Sequence, residues 1–447
     1  MTILREFASY GAREAERVLP ADVLHHTKRA VLDWFSALYP GTRVSPGLNL
    51  VRAHHAELGL GRSTLPGFGT TTFPATAAWI NGSTSHAVEF DDIFRDAAYH
   101  PGCPVIAAAL AVAEDLNSSG ESFLKAVVIG YEISTRIGAA VQPAHYQYFH
   151  TTGTVGCMGA AAAAAALLAP GNPDVMLHAI STATTFASGL QQAFRSDAMT
   201  KALHAGHAAE VGVRAAQAAT AGVTGVLDIL EGSAGFGAAM AQSPDWSSVT
   251  RDVGERYNIT SITQKNHGCC GHTFAALDAM IALREAHQVR PEDISTIEVE
   301  TYQTAIDVTG NFNPRSVFEA KFSLPYVISH ALQHGSVRLA AFDDVHLYSD
   351  ITRELMRRVV LRADSAMTSG FPRQRAAKVS LRLRTGQVFE HFAPCRRGDP
   401  EAPLTDEELN NKFDELVFPV LGQTHGAQLR EQIWGLEQLN HMADLNI

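Results

Sequence analysis

The chain has too few cysteines, too unevenly spread, to build a disulfide framework. Its five (Cys103, Cys157, Cys269, Cys270 and Cys395) are odd in number, which points to reduced thiols and a cytoplasmic setting. An excess of positive charge is missing too: 35 Lys and Arg face 46 Asp and Glu, a formal net charge of -11. A protein that neutralises ~6–10 phosphates needs a basic face, and none is found, so nucleic acid is not the expected partner. No apolar run reaches the ~20 residues of a membrane span. The opening MTILREFASYGAREAERVLP carries acids where a signal peptide would have its apolar core. Also absent are a Gly-x-Ser-x-Gly elbow, a Gly-Lys-Ser/Thr phosphate loop and an internal repeat.

What is present is length, and a change of period along it. At 447 residues the chain exceeds the ~250–300 at which one core stops growing, so two domains are expected. Leu24, Val31, Phe35 and Leu38 recur at helical spacing behind Asp22, a candidate cap, and Pro40-Gly41 closes that helix. Further helices are predicted over 46–58, from Pro74 into the stretch after Asn81, and after Pro104. Ser118 and Glu121 have capping-box spacing for another. The run AAAAAAALLAPG, led in by Gly153, Gly156 and Gly159, reads as a central helix with small residues at its contacts. Helices also fit 173–188, 202–221 and 224–230, with a loop at 232–237.

Beyond about Asp293 the period turns from 3.6 toward 2. Ile297, Val299 and Thr301 alternate with Glu298 and Glu300, and 378–392 reads as two strands joined around Thr385-Gly386. Helices at about 322–334 and 350–358 lie between them. Thr405 and Glu408 open a return to helix through 406–416 and 424–440. The fold class is therefore mainly α with a second, smaller α+β domain. Residues 1–264 and 409–447 are assigned to the helical domain and 265–408 to the α+β lid.

Four polar islands interrupt the apolar helices. The first, NGSTSHAVEFDDIFRDAAYHPG, packs Glu89, Asp91, Asp92, Arg95, Asp96 and His100 between Ala-rich segments. Such a run is too polar for a core, and its neighbours are too apolar for a surface. The others hold His145 to Thr154, Arg195 to His207, and Lys265 to His272. A solvated loop is the plain alternative for any one of them. Lys201 stands at a helix start, where the macrodipole disfavours a cation by some tenths of a kcal/mol; it is a candidate carboxylate binder. His204 and His207 read as packing histidines. KNHGCCGH at 265–272 crowds its His and Cys too closely for the usual tetrahedral site, so no metal is assigned and the turn is read as aiming Lys265 and His267 into an interdomain cleft. His100 and His150 each precede a small-residue turn, and an unperturbed imidazole titrates near the ~6.5 that suits acid/base work.

Taken jointly, these motifs resemble the MmgE/PrpD family, whose members include 2-methylcitrate dehydratase, cis-aconitate decarboxylase and iminodisuccinate epimerase. The match runs along the whole chain: Asp33-Trp34-Phe35-Ser36, Asn81-Gly82 to Asp92, His100-Pro101-Gly102, His150-Thr151-Thr152-Gly153-Thr154, Met199-Thr200-Lys201 with His204-Ala205-Gly206-His207, Lys321 to Tyr326, and Pro419-Val420-Leu421-Gly422. The resemblance implies a large helical domain built from both chain ends, an α+β lid, a homodimer and a cleft without cofactor. The positions it associates with the decarboxylase site fall on Glu89, Ile93, His100, His150, Lys201 and Lys265. Two of these depart from the decarboxylase pattern, Glu89 standing for Asp and Ile93 for Thr. The lysine turn departs too, reading Lys265-Asn266-His267-Gly268 in place of Lys-Pro-Tyr-Pro.

The cations are kept while their neighbours change, so the expected substrate is a small anionic polycarboxylate. Within the family the chain looks most like the members that epimerise iminodisuccinate. In that reading Lys201, Lys265 and Arg95 hold carboxylates, Glu89 and Ile93 line the substrate, and two of His100, His150, His267 and Asp92 exchange the α-proton. The alternatives are a dehydratase-like or decarboxylase-like lyase and a non-catalytic helical binding protein.

Overall fold

The computed structural model describes residues 2–194 and 198–447. They divide into two compact units, Met1–Gln264 with Thr405–Ile447, and Lys265–Leu404. The first is almost wholly helical. The second carries a mixed four-stranded sheet, so the protein is mainly helical with a smaller α+β part.

In the helical unit, α1 (Ala21–Gly41), α2 (Pro74–His86), α3 (Gly102–Leu116), α4 (Gly120–Ala140), α5 (Gly156–Leu168) and α6 (Thr200–Thr220) form the body. The alanine run makes α5 apolar on every face and it is buried along nearly its whole length. Its neighbourhood, Thr151–Leu168, is long and apolar enough by composition to cross a membrane. It is 94% buried inside the protein, however, as a core helix is. Small residues also set the spacing of α2 and α6: a Cβ on Gly206 would overlap Ser83 and the Trp79 carbonyl, and one on Gly82 would reach within 3.0 Å of the Gly206 Cα. That close approach brings the end of α2 beside the start of α6.

The C-terminal helix α9 (Asp406–Leu421) opens with the capping box of Thr405 and Glu408. It is tied into the helical unit by Lys412, whose ammonium lies 2.6 Å from Asp33 Oδ1 on α1 and 2.9 Å from the Phe90 carbonyl. All three groups are buried. Burial pushes the Asp33 carboxyl up, and the Lys412 charge pulls it back down.

In the α+β unit the sheet order is β4-β3-β5-β6, with β3 (Ile294–Thr301), β4 (Val359–Ala363), β5 (Ala377–Leu383) and β6 (Val388–Ala393). Only β3 and β4 run parallel, with Val299 opposite Leu361. Helices α7 (Phe274–His287) and α8 (Leu324–His334) share one core with the inner face, including Leu277, Met280, Ile297, Val299, Ile328, Val379 and Leu381.

Several local expectations are corrected. Asp22 lies in the first turn of α1, whose cap position is Pro20. The cap of α4 is Ser119, which accepts from Ser122 N–H, one residue beyond Ser118. Residues 224–230 form turns instead of a helix, because Gly225 N–H donates to His178 and the Val226 carbonyl accepts from Ser181. The 232–237 stretch ends in a short helix, Phe236–Met240. A hairpin of β1 (Ser63–Leu65) and β2 (Thr70–Thr72), and the strand β4, carry too few alternating residues to be read in advance.

Candidate active site

The polar stretch after Asn81 begins inside α2, whose last residue is His86. The chain then leaves the helix through Glu89, held at φ 61°. Left-handed backbone at a residue with a side chain costs on the order of 1 kcal/mol or more and gathers at functional sites. The strain points the Glu89 carboxylate at Lys201, and the two make a close, nearly buried ion pair. Lys201 is the second residue of α6, and its ammonium also stands 5.2 Å from the ring centre of Phe194. The expectation that this lysine faces an anion inside the protein therefore has a structural counterpart, but the anion in contact is Glu89.

Asp91 organises the histidines. Its Oδ2 lies 2.8 Å from His86 Nδ1, 2.9 Å from His100 Nδ1 and 3.2 Å from the Cys103 thiol. A carboxylate oxygen accepts, so the His86 imidazole carries its proton on Nδ1, while the His100 ring stands at ion-pair distance from the same oxygen. His86 Nε2 is buried and has no hydrogen-bond partner among the described residues. His150, which precedes the short helix Thr151–Thr154, stacks on His86 at 5.6 Å and lies 6.5 Å from His100, centre to centre. Its Nδ1 is 3.1 Å from His204 Nδ1 on α6.

Burial, followed by the neighbouring His86 and the Lys201 charge, holds His150 well below the ordinary imidazole range, and burial lowers His204 to about 4. At neutral pH both are neutral, and one must donate to the other. An anionic substrate would reverse the balance, since negative charge nearby favours the imidazolium. His150 and His204 are thus neutral bases that gain basicity on binding an anion.

Other site candidates have different surroundings. Both Asp92 oxygens are engaged, Oδ1 by Gly102 N–H at 3.0 Å and Oδ2 by the Tyr131 hydroxyl at 2.8 Å. Burial, then the nearby Asp33, pushes its carboxyl up to about 8. It is a largely protonated anchor for the start of α3. Ile93 is buried, and its backbone pairs with Thr263 on both sides, the Ile93 N–H donating at 2.9 Å and the Ile93 carbonyl accepting at 2.8 Å. Arg95 lies 3.8 Å from Asp96. Arg195, Ser196 and Asp197 of the third island lie outside the described residues.

Lys265 and His267 belong to the α+β unit. Lys265 is buried there, and His267 Nε2 is 2.9 Å from Asp278 Oδ1 on α7. Asp278 Oδ2 accepts in turn from Arg397 N–H at 2.7 Å.

His86, Asp91 and His204 are site residues that the sequence reading passed over. His204 stands one helical turn beyond Lys201, on the same face, which was the available signal. His86, Asp91 and Cys103 have ligand atoms within 4.8 Å of one another. The donor set fits a metal poorly: one Asp91 oxygen already takes contacts from both others, and burial followed by Asp91 pushes the Cys103 thiol far up, against the thiolate a metal needs.

A helical unit built from both chain ends, with buried histidines and an acid–lysine pair at its helix starts, defines a class. The chain belongs to the MmgE/PrpD family: the family's N-terminal domain matches residues 5–249 and its C-terminal domain residues 267–438. The family is enzymatic and includes dehydratase and decarboxylase lyases. Among its relatives, the cis-aconitate decarboxylase-like protein oryM of Aspergillus oryzae is 26% identical, over 96% of this chain and 93% of its own. Cis-aconitate decarboxylase of Mus musculus is 28% identical over 88% of this chain and 82% of its own, and that of Homo sapiens 27% over 93% and 88%.

Proposed function

We propose that the protein is a lyase acting on a small polycarboxylate of the cis-aconitate type, by decarboxylation. The observation that carries the reading is the Lys201–Glu89 pair, whose lysine charge bears on the buried His150, itself 6.5 Å from His100. Names of the relatives support the substrate class. In the proposed step, the bond from carbon to the departing carboxylate breaks and carbon dioxide leaves. The electron pair moves through the adjacent C=C and is captured at the far carbon by a proton from His100 or His150. Lys201 offsets the charge on the carboxylate that remains, and side chains alone supply every group. Arg95 is the further carboxylate holder of this reading.

A second reading, epimerisation of iminodisuccinate, is favoured by two residues. Ile93 brings an apolar side chain where the decarboxylase pattern has a hydroxyl, and Glu89 is one methylene longer than the Asp of that pattern. Epimerisation needs proton removal and return at the carbon next to a carboxylate, with no departing group. Either reading is proposed for a homodimer in the cytoplasm.

One experiment separates them. The protein is incubated in deuterated water with cis-aconitate or with a single stereoisomer of iminodisuccinate and followed by proton NMR. Release of carbon dioxide with one deuteron per product supports the lyase. Loss of the α-proton signal with appearance of the other stereoisomers, and no reaction of cis-aconitate, replaces it with the epimerase. Inertness toward both overturns both.

A further inference from the structure

A second histidine cluster lies within the α+β unit, unrelated to the residues above. His330 and His334 are one turn apart on α8, and His346 sits on the short helix Asp344–Leu347. The rings are mutual neighbours, with centres 4.3 Å apart for His330 and His334, 5.2 Å for His330 and His346, and 5.0 Å for His334 and His346. His330 is only 4% exposed. Nδ1 of His330 and Nδ1 of His346 are both buried with no hydrogen-bond partner among the described residues. A buried imidazole nitrogen without a partner is costly, and two such atoms on neighbouring rings ask for a common ligand.

We propose that His330, His334 and His346 form a binding site for one divalent transition-metal ion of the zinc type, with water in the fourth position. Two histidines at i and i+4 on a helix are a recurrent zinc-binding pair. With zinc–nitrogen bonds of ~2.0–2.1 Å and tetrahedral angles, imidazole centres lie about 5 Å apart, as these do. The three nitrogens do not yet converge as closely as the ligand atoms of His86, Asp91 and Cys103. Binding an ion requires the rings to turn until their nitrogens meet, and the His334 ring is exposed at the last turn of α8. The site lies away from thiols in its ligand set, so the ion would have nitrogen and oxygen ligands alone.

Cobalt titration of the full-length, chelator-treated protein tests this. The expected result is one equivalent bound, with visible d–d absorption of tetrahedral character and no thiolate-to-metal charge-transfer band. Zinc should displace it, and His334→Gln and His346→Gln should each abolish the absorption while circular dichroism stays unchanged. Absence of stoichiometric binding would overturn the proposal. So would a thiolate band, or binding that survives both substitutions, which would move the ion to cysteine-containing residues elsewhere.

Discussion

Both units bury a run of histidines and acids beside helix starts, yet they dispose of the charge in different ways. In the helical unit one Asp91 oxygen is shared by His86, His100 and Cys103, and His150 must share a proton with His204. In the Lys265 to His272 turn of the α+β unit the pairing is private: His267 has Asp278, His272 Nδ1 has the Tyr302 hydroxyl at 2.8 Å, and Cys269 has Thr273 at 3.3 Å. Shared partners leave protonation states that a bound anion can shift. Private partners fix them. The comparison therefore predicts that substitutions in the first set act on turnover and substitutions in the second act on stability.

The largest effect is expected from Lys201→Met. It removes the cation whose charge bears on His150 of the shared set and should lower kcat/KM by ~10²–10⁴-fold, measured on whichever substrate the deuterium experiment identifies. Wild-type turnover in this variant would sink the assignment of the helical unit as the reacting centre.

Lys412→Met probes a private pair within the helical unit itself. It leaves Asp33 buried without its cation, a change worth ~3–5 kcal/mol of stability, read from the denaturant midpoint. Adding Asp33→Leu should recover most of the loss, because the buried charge goes too. A midpoint unchanged by the single substitution would mean that this ion pair contributes nothing to holding α9.

Asp278→Asn weakens the acceptor of His267 and of Arg397 N–H. About 1–3 kcal/mol of stability should be lost, with kcat changed much less than in Lys201→Met. A collapse of kcat with the fold intact would blur the comparison and return His267 to the reacting groups.

The smallest effect concerns pH. Asp92 has a folded value of about 8 against an ordinary 3.8, so the folded state binds this proton more tightly than the unfolded chain. Its contribution to stability is complete below the ordinary value and is lost as the pH climbs through about 8. Glu114, pushed up to about 7 by burial, acts in the same direction. Urea unfolding of Asp92→Asn across pH 5 to 8 should therefore show a shallower fall in stability than the wild type. An unchanged slope would mean that Asp92 is ionised in the folded protein.

Much of the site was legible because its residues depart from what surrounds them. Glu89, His100, His150 and Lys201 are polar groups set against alanine-rich helices, and that contrast survives in a one-dimensional string. His86 and Asp91 lay in the same stretch without being singled out, since only the fold makes Asp91 the common acceptor. His204 was read as packing. Its nearness to His150 goes with the close packing of Gly153 on α6, where an added Cβ would lie 3.1 Å from the His204 Cβ, which no local pattern reports. The strand β4 was missed for a similar reason: with one buried residue, Val359, among five, it owes its conformation to pairing with β3.

By itself the sequence determined the periodic elements. The alanine run had to be buried, the alternation after Asp293 had to become a sheet, and the Thr405 and Glu408 box had to start a helix, because each follows from interactions within a few residues. Tertiary structure alone decided the protonation of the histidines and of Asp92. Those depend on burial and on charges brought from distant segments, such as Asp33 facing Asp92 and Lys201 facing His150, and a chain in water has neither.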